Sequence, residues 1–197
     1  MNKELTEIIF LLDRSGSMAG LESDTIGGFN AFVKKQSQLA GETRLTTVLF
    51  DDQYEVLWDG IHAKDAVLTK EDYYVRGCTA LLDAVGRTIN DVGNRLSKAK
   101  EEDRPGKVIF VITTDGMENS SIEYDYEKIS KLITHQKEKY SWEFIFMGAN
   151  MDAVKEAGHL GISAEHAYEF EASNEGVEKM YSVMCEAVSY IRDEKEE

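Results

Sequence analysis

Proline occurs once in the 197 residues, at Pro105, and cysteine twice, at Cys78 and Cys185. With one proline and 15 scattered glycines, the chain has no Pro- or Gly-rich linker, no low-complexity tract and no fixed-period repeat, so residues 1–197 read as one continuous domain. Two cysteines so far apart make neither a disulfide framework nor a zinc site, and both are expected to be reduced, partly buried small residues. Positive charge is also short: 22 Lys and Arg face 37 Asp and Glu, a formal charge of −15. This balance argues against a nucleic-acid backbone or an anionic membrane surface as the main partner. No apolar run approaches the ~20 residues that span a bilayer. The start, Met1-Asn2-Lys3-Glu4, lacks the uncharged core of a secretory signal, so a cytoplasmic protein is expected. Residues 1–98 carry 11 basic and 15 acidic side chains, net −4, whereas residues 99–197 carry 11 and 22, net −11. Most of that excess falls on predicted helices, loops and the Arg192 to Glu197 tail, where a solvated face explains it.

Ile8 to Leu12 and Val108 to Ile112 are short, β-branched-rich apolar runs without alternation, the pattern of central parallel strands covered on both faces. Trp142 to Met147 predicts a third such strand, and Ala167 to Phe170 a short fourth near an edge. Leu45 to Phe50 and Tyr54 to Trp58, joined by Asp51-Asp52-Gln53, read as a hairpin that supplies an antiparallel edge. Between them lie helical periods. The clearest is Leu82, Val85, Ile89, Val92 and Leu96, one apolar stripe that packs on a sheet. Ile26, Phe29, Val33 and the Leu39-Ala40 pair mark an earlier helix, and Tyr126, Ile129 and Ile133 a later one. A short helix near Ala153 to Ala157 and a final one from Val177 to Ile191 complete the set. The pattern predicts a three-layer α/β fold: a mostly parallel central sheet, one antiparallel edge strand and helices on both faces. In such sheets ligands bind at the carboxyl ends of the strands.

Asp13-Arg14-Ser15-Gly16-Ser17 starts where the first buried strand ends, which places one carboxylate and two hydroxyls at that ligand edge. Asp115, in Thr113-Thr114-Asp115-Gly116, follows the second buried strand and is expected on the same edge. Thr79, within Gly77-Cys78-Thr79-Ala80-Leu81-Leu82-Asp83-Ala84, stands before the strongest helix. Each segment has a plain local reading, as a turn, a strand end or a helix cap. Those readings do not account for three segments meeting on one edge with oxygen donors only. Hard cations take oxygen ligands, and Mg²⁺ in particular keeps several waters and needs no closed cage. Asp13, Ser15, Ser17, Thr79 and Asp115 fit that chemistry, whereas zinc and copper favour the His and Cys the set lacks. Neutral hydroxyls as the main ligands leave most of the metal charge uncompensated, so an open coordination position attracts an external carboxylate.

These residues resemble the metal-ion-dependent adhesion site of the von Willebrand factor type A (vWA) domain, written Asp-x-Ser-x-Ser, then a distant Thr, then a distant Asp. Here Asp13, Ser15, Ser17, Thr79 and Asp115 fill all five positions, and the order of elements resembles that Rossmann-like fold over nearly the whole chain. The resemblance implies Mg²⁺, with Mn²⁺ or Ca²⁺ as alternatives, coordinated through Ser15 and Ser17. Thr79 and Asp115 then exchange between direct and water-mediated roles, and Asp13 holds ligands or waters from behind. It also implies a non-enzymatic module that captures a Glu or Asp carboxylate of a protein partner, and in some members a movement of the last helix. Cytosolic members often work beside AAA+ ATPases, which makes such a system the expected partner class. Cys78 departs from the family pattern, which usually has a small residue such as Gly before the Thr, and this brings a thiol near the metal without ligating it.

Asp51-Asp52 and Met117-Glu118-Asn119 are further candidates on the ligand edge, although a polar hairpin turn and a solvated loop are the plainer readings. His62, His135, His159 and His166 show no shared-metal spacing and read as surface or packing residues. The alternative function is a metal-dependent phosphoesterase. An Asp after a first buried strand also resembles the haloacid-dehalogenase-like phosphatases, but their general acid, an Asp two residues on, is replaced here by Ser15. No phosphate loop, nucleophile elbow or His-Glu-x-x-His pair is present. A scaffold domain with a vestigial site is the third reading, and the complete five-residue set argues against it.

Overall fold

Ile8, Phe10 and Leu12 face one side of a β-sheet and Ile9 and Leu11 the other, all at most 1 % exposed, which is why this stretch shows no polar alternation. They belong to β1 (Asn2–Asp13) in a computed structural model that describes residues 1–193. The chain continues through α1 (Glu22–Ser37), β2 (Glu42–Phe50), β3 (Tyr54–His62), α2 (Leu81–Lys98) and β4 (Pro105–Thr114). It ends with α3 (Tyr126–Tyr140), β5 (Glu143–Ala149), α4 (Ala153–Leu160), β6 (Ala167–Phe170) and α5 (Asn174–Asp193). The strand order is β3-β2-β1-β4-β5-β6. Every neighbouring pair is parallel except β2 and β3, so the hairpin forms the antiparallel edge.

Helices α1 and α5 bury Phe29, Phe32, Met180 and Met184 against one sheet face. Helices α2, α3 and α4 cover the other with Val85, Ile89, Ile133 and Leu160. Trp142 closes that second layer by stacking on Phe110 with ring centroids 5.3 Å apart. This is the three-layer α/β architecture the sequence predicts. Among the described residues no helix is long and apolar enough to cross a membrane.

Three expectations need correction. Leu39 and Ala40 lie beyond α1, which ends at Ser37. The chain must reverse into β2 at once, and Gly41 makes the turn at φ +84°, where an added Cβ would press on the Glu4 carbonyl oxygen. Cys185 is buried but Cys78 is exposed. Arg192 is no solvated tail residue: its guanidinium donates to the Gln36 carbonyl and side-chain oxygens at 3.0 and 3.1 Å, tying the end of α5 to the end of α1. Residues 194–197 of that tail lie outside the described residues.

The register positions the functional edge. Asp13 pairs with Phe50 of β2, and Leu12 pairs with Thr113 of β4. From β1 the chain first builds the sheet toward β2 and β3, then returns to β4 on the opposite side. That reversal opens a crevice between the loops after β1 and β4, the place where open α/β sheets bind ligands.

Candidate metal centre

Asp13 ends β1, and its carboxylate is held on both oxygens. Oδ1 accepts the Ser15 backbone N–H at 2.7 Å and Oδ2 accepts the Thr114 hydroxyl at 2.6 Å. Its own carbonyl oxygen accepts the Tyr73 hydroxyl at 2.8 Å. The residue is 1 % exposed. Burial pushes the Asp13 carboxyl up to about 6, against the hydrogen bonds from Ser15 and Thr114, and the Asp115 charge adds to the rise.

Ser15 precedes and Ser17 lies within a single helical turn, Gly16–Met18, that takes no side-chain cap from Ser15. Their hydroxyls lie 3.1 Å apart, and Ser17 donates to Asp115 Oδ1 at 2.5 Å. Burial raises the Asp115 carboxyl as well, opposed by the bond from Ser17.

Thr79 does not cap α2, as a local reading of its position would have it. The helix begins at Leu81, with Ala80 at the cap position and no side-chain cap bond. The loop after β4 does that work instead: Glu118 accepts the Leu82 N–H at 2.9 Å and Ser121 Oγ the Asp83 N–H at 3.0 Å. In return the Asp83 carboxylate accepts the N–H groups of Ile122, Glu123 and Tyr124, each at 2.9 Å. Thr79 itself exchanges bonds with Asn119, its N–H to Asn119 Oδ1 and its carbonyl oxygen from the Asn119 N–H, both 3.0 Å. A Cβ added at Gly116 would lie 2.8 Å from Thr79 Oγ1 and 3.5 Å from Ser17 Oγ. A glycine is therefore what lets the Thr79 and Ser17 hydroxyls and Asp115 converge. Hydrogen bonds link Asp13, Ser15, Ser17 and Asp115 on the carboxyl edge, and Thr79 borders them across Gly116.

Among the described residues neither Asp13 nor Asp115 has an ion-pair partner. The arginines of the surrounding loops are committed elsewhere: Arg14 Nε and Arg76 Nε both bind Asp51 Oδ2, at 3.0 and 2.7 Å, and Arg14 Nη1 lies 2.7 Å from Glu55 Oε2. Also among the described residues, no three His, Cys, Asp or Glu side chains form a metal-holding group. The candidate set is of another kind, two carboxylates and three hydroxyls. Two buried carboxyl groups without a counter-charge, beside three neutral hydroxyls, suit a hard divalent cation.

Of the further candidates, Asp51 and Glu118 serve structure. Asp51 is fully buried between Arg14 and Arg76, and its carbonyl oxygen accepts the Ala80 N–H at 2.9 Å, so it anchors the Thr79 loop rather than lining a rim. Glu118 is occupied by the start of α2 and by the N–H groups of Ser120 and Ser121, whereas Met117 is exposed. Residue-by-residue reading missed Thr114 and Tyr73, which hold Asp13 from β4 and from the loop before α2. A hydroxyl at the end of a buried strand, next to Asp115, is the signal that points to Thr114; Tyr73 has none in the sequence.

No protein-family model and no curated protein matches the chain. Solved structures do. The vWF domain of the type V pili tip protein from Porphyromonas gingivalis aligns at TM-score 0.68 and 11 % identity, over 98 % of this chain and 97 % of that one. Proximal thread matrix protein 1 from the mussel byssus, in a structure with a zinc-occupied MIDAS motif, aligns at TM-score 0.63 and 16 % identity over 95 % of this chain. The present chain spans about half of that protein, 47 %. The manganese-loaded TRAP protein of Plasmodium vivax aligns at TM-score 0.57 and 17 % identity, over 75 % of this chain and 58 % of that one. Sheet order, layers and these alignments agree on one architecture, and the chain has the von Willebrand factor type A fold.

Proposed function

We propose that the chain is a divalent-metal-dependent protein-interaction module. Ser15, Ser17, Thr79 and Asp115 would hold the ion, with Asp13 orienting hydroxyls and waters from behind. Mg²⁺ is the first candidate, with Mn²⁺ and Ca²⁺ as alternatives. A bound cation supplies the positive charge that reverses the local field, so that an acidic protein recruits a Glu or Asp carboxylate of a protein partner. One observation carries the reading: two buried, proton-hungry carboxylates and three hydroxyls converge with no cationic side chain among them. The zinc-occupied MIDAS motif of the mussel protein and the manganese-loaded TRAP protein, built on the same fold, support it.

The module is a binder and not a catalyst in this reading, because Ser15 stands where a phosphatase of similar strand order needs its general acid. A cytoplasmic setting, with an ATPase of the AAA+ class acting in trans, is part of the same proposal. Calorimetric titration with Mg²⁺ and Mn²⁺ tests the site: wild type binds, and Asp13→Ala and Ser15→Ala lose binding. Equal binding by all three overturns it. A screen of generic phosphate esters with added metal is expected to be blank, and turnover abolished by Asp13→Asn would revive the phosphoesterase. Pull-downs with and without chelator then identify partners held through the cation.

A further inference from the structure

A second surface lies at the far edge of the sheet. Strand β6 is four residues long and, among the described residues, pairs only with β5. Phe170 turns its carbonyl oxygen toward β5, where it accepts the Asn150 N–H at 3.2 Å. Main-chain groups alternate in direction along a strand, so Tyr168 points the same way as Phe170. Glu169 N–H and C=O therefore face outward, where no strand among the described residues pairs with them.

Beside this open edge runs a groove of about 790 Å³ between β6, α5 and the start of α4. Its apolar walls include Tyr168 and Val183 on the α5 side and Ala167 and Val154 on the α4 side. Val154 is half exposed there. The rim is acidic. Glu169, Glu171 and Glu175 line the groove against a single cation, Lys179.

We propose that this edge receives an extended, basic segment of a partner protein, which adds a seventh strand alongside β6. Main-chain bonds to Glu169 supply the register. Alternate side chains of the incoming strand fall on the Tyr168–Val183 wall and the Ala167–Val154 wall, as the two-residue period of a strand requires. Lys or Arg side chains in the segment then meet Glu169, Glu171 and Glu175. The same carboxylates disfavour a second copy of this chain, whose own β6 would bring like charges face to face. This surface is independent of the cation and of the reading of Asp13 and Asp115.

The test uses a blocked, fluorescein-labelled ten-residue peptide of alternating Val and Lys. Fluorescence anisotropy should show saturable binding that survives chelator, about tenfold tighter than for the same peptide with Glu in place of Lys. Glu169→Lys combined with Glu171→Lys changes two exposed side chains and should remove that preference. N-methylating alternate residues of the peptide should abolish binding, and the Glu169 amide should gain protection from hydrogen exchange when the unmethylated peptide is bound. Absence of binding, equal binding of the Glu peptide, or undiminished binding of both N-methylated registers would overturn the proposal. So would a dimer in sedimentation equilibrium that Glu169→Lys dissolves, since the edge would then serve a second copy.

Discussion

Ser17 donates its hydroxyl hydrogen to Asp115 Oδ1 at 2.5 Å, joining the loops after β1 and β4 across 98 positions of sequence. Both atoms belong to the proposed donor set, so a cation that takes them must replace this bond. Thr114 stands apart from that exchange. Its hydroxyl donates to Asp13 Oδ2 at 2.6 Å and accepts the Gly116 N–H at 3.3 Å, so it positions an acid without being a candidate ligand.

Thr114→Val keeps the shape and removes the donor. Partners that orient metal ligands are worth roughly 10- to 100-fold in affinity, and a loss of that order is expected in a Mg²⁺ titration. Leaving a buried carboxylate oxygen unpaired should also cost about 1–3 kcal/mol in urea unfolding with chelator present. Unchanged Mg²⁺ affinity would show that Asp13 needs no help from β4.

The pH dependence has a definite sign. Asp13 ionises near 6 in the folded chain against 3.8 as the reference value, so the folded state binds the extra proton. In chelator, Asp13 therefore lowers stability progressively as pH rises from about 4 to about 6, and its contribution levels off above. Asp13→Asn should flatten that part of the stability profile. Because protonation removes the negative charge that Asp13 supplies from behind the proposed ligands, apparent Mg²⁺ affinity should climb between about pH 5 and pH 7. An affinity independent of pH in that window would detach Asp13 from the cation.

Asp83 links the site to its scaffold. Its carboxylate accepts three backbone N–H groups, those of Ile122, Glu123 and Tyr124. Asp83→Ala takes the acceptor from three N–H groups of a largely exposed loop, where Ile122 is 93 % exposed, and should destabilise the protein by roughly 1–3 kcal/mol, the range for hydrogen bonds to a charged group that water then partly replaces. Hydrogen exchange at Ile122 to Tyr124 should accelerate more than exchange in β1. Uniform acceleration across the sheet would mean that the loop is not separately held.

Asp51 and Arg14 make a different prediction. Both are fully buried, and the pair is shared with Arg76. Asp51→Ala takes the buried partner from the Arg14 guanidinium and leaves it only the half-exposed Glu55, a loss expected to cost about 3 kcal/mol, at the low end for a broken buried pair. Double replacement, Asp51→Ala with Arg14→Met, should recover part of that loss in thermal unfolding. No recovery would place the cost in the Gln53 N–H instead, which loses the Asp51 Oδ1 acceptor at 2.6 Å.

The sheet was legible because burial on both faces leaves a direct trace. Ile8 to Leu12 and Val108 to Ile112 carry no polar residue, and β1 and β4 are the central strands. Asp13 and Asp115 were legible for the same reason, as the first carboxylates after those runs. The end of α1 was not, since the Leu39-Ala40 pair continues an apolar pattern that only the turn at Gly41 interrupts. Nor was the capping of α2. Thr79 precedes that helix at a spacing suited to a cap, but Glu118 and Ser121 reach it from 36 and 38 positions away. Local sequence carries no record of such a partner, and the Thr79 side chain is left out of capping as a result.

The two cysteines offer a direct check on the loop beside the site. Cys78 is exposed between Gly77, whose carbonyl oxygen accepts the Gly16 N–H at 3.2 Å, and Thr79. Cys185 is buried under α1, with Gln36 Nε2 3.8 Å from its sulfur, and burial pushes its thiol up. Buried thiols with raised pKa are poor nucleophiles, whereas an exposed one reacts as a free thiolate fraction allows. An aromatic disulfide reagent should therefore release one equivalent of chromophore quickly and the second only on unfolding, and Cys78→Ser should delete the fast phase. Because Thr79 follows directly, the adduct at Cys78 places bulk at the mouth of the crevice. Mg²⁺ binding should persist in the labelled protein while capture of a partner carboxylate weakens. Loss of Mg²⁺ itself on labelling would put the thiol inside the donor set, and unchanged partner capture would put it outside the mouth.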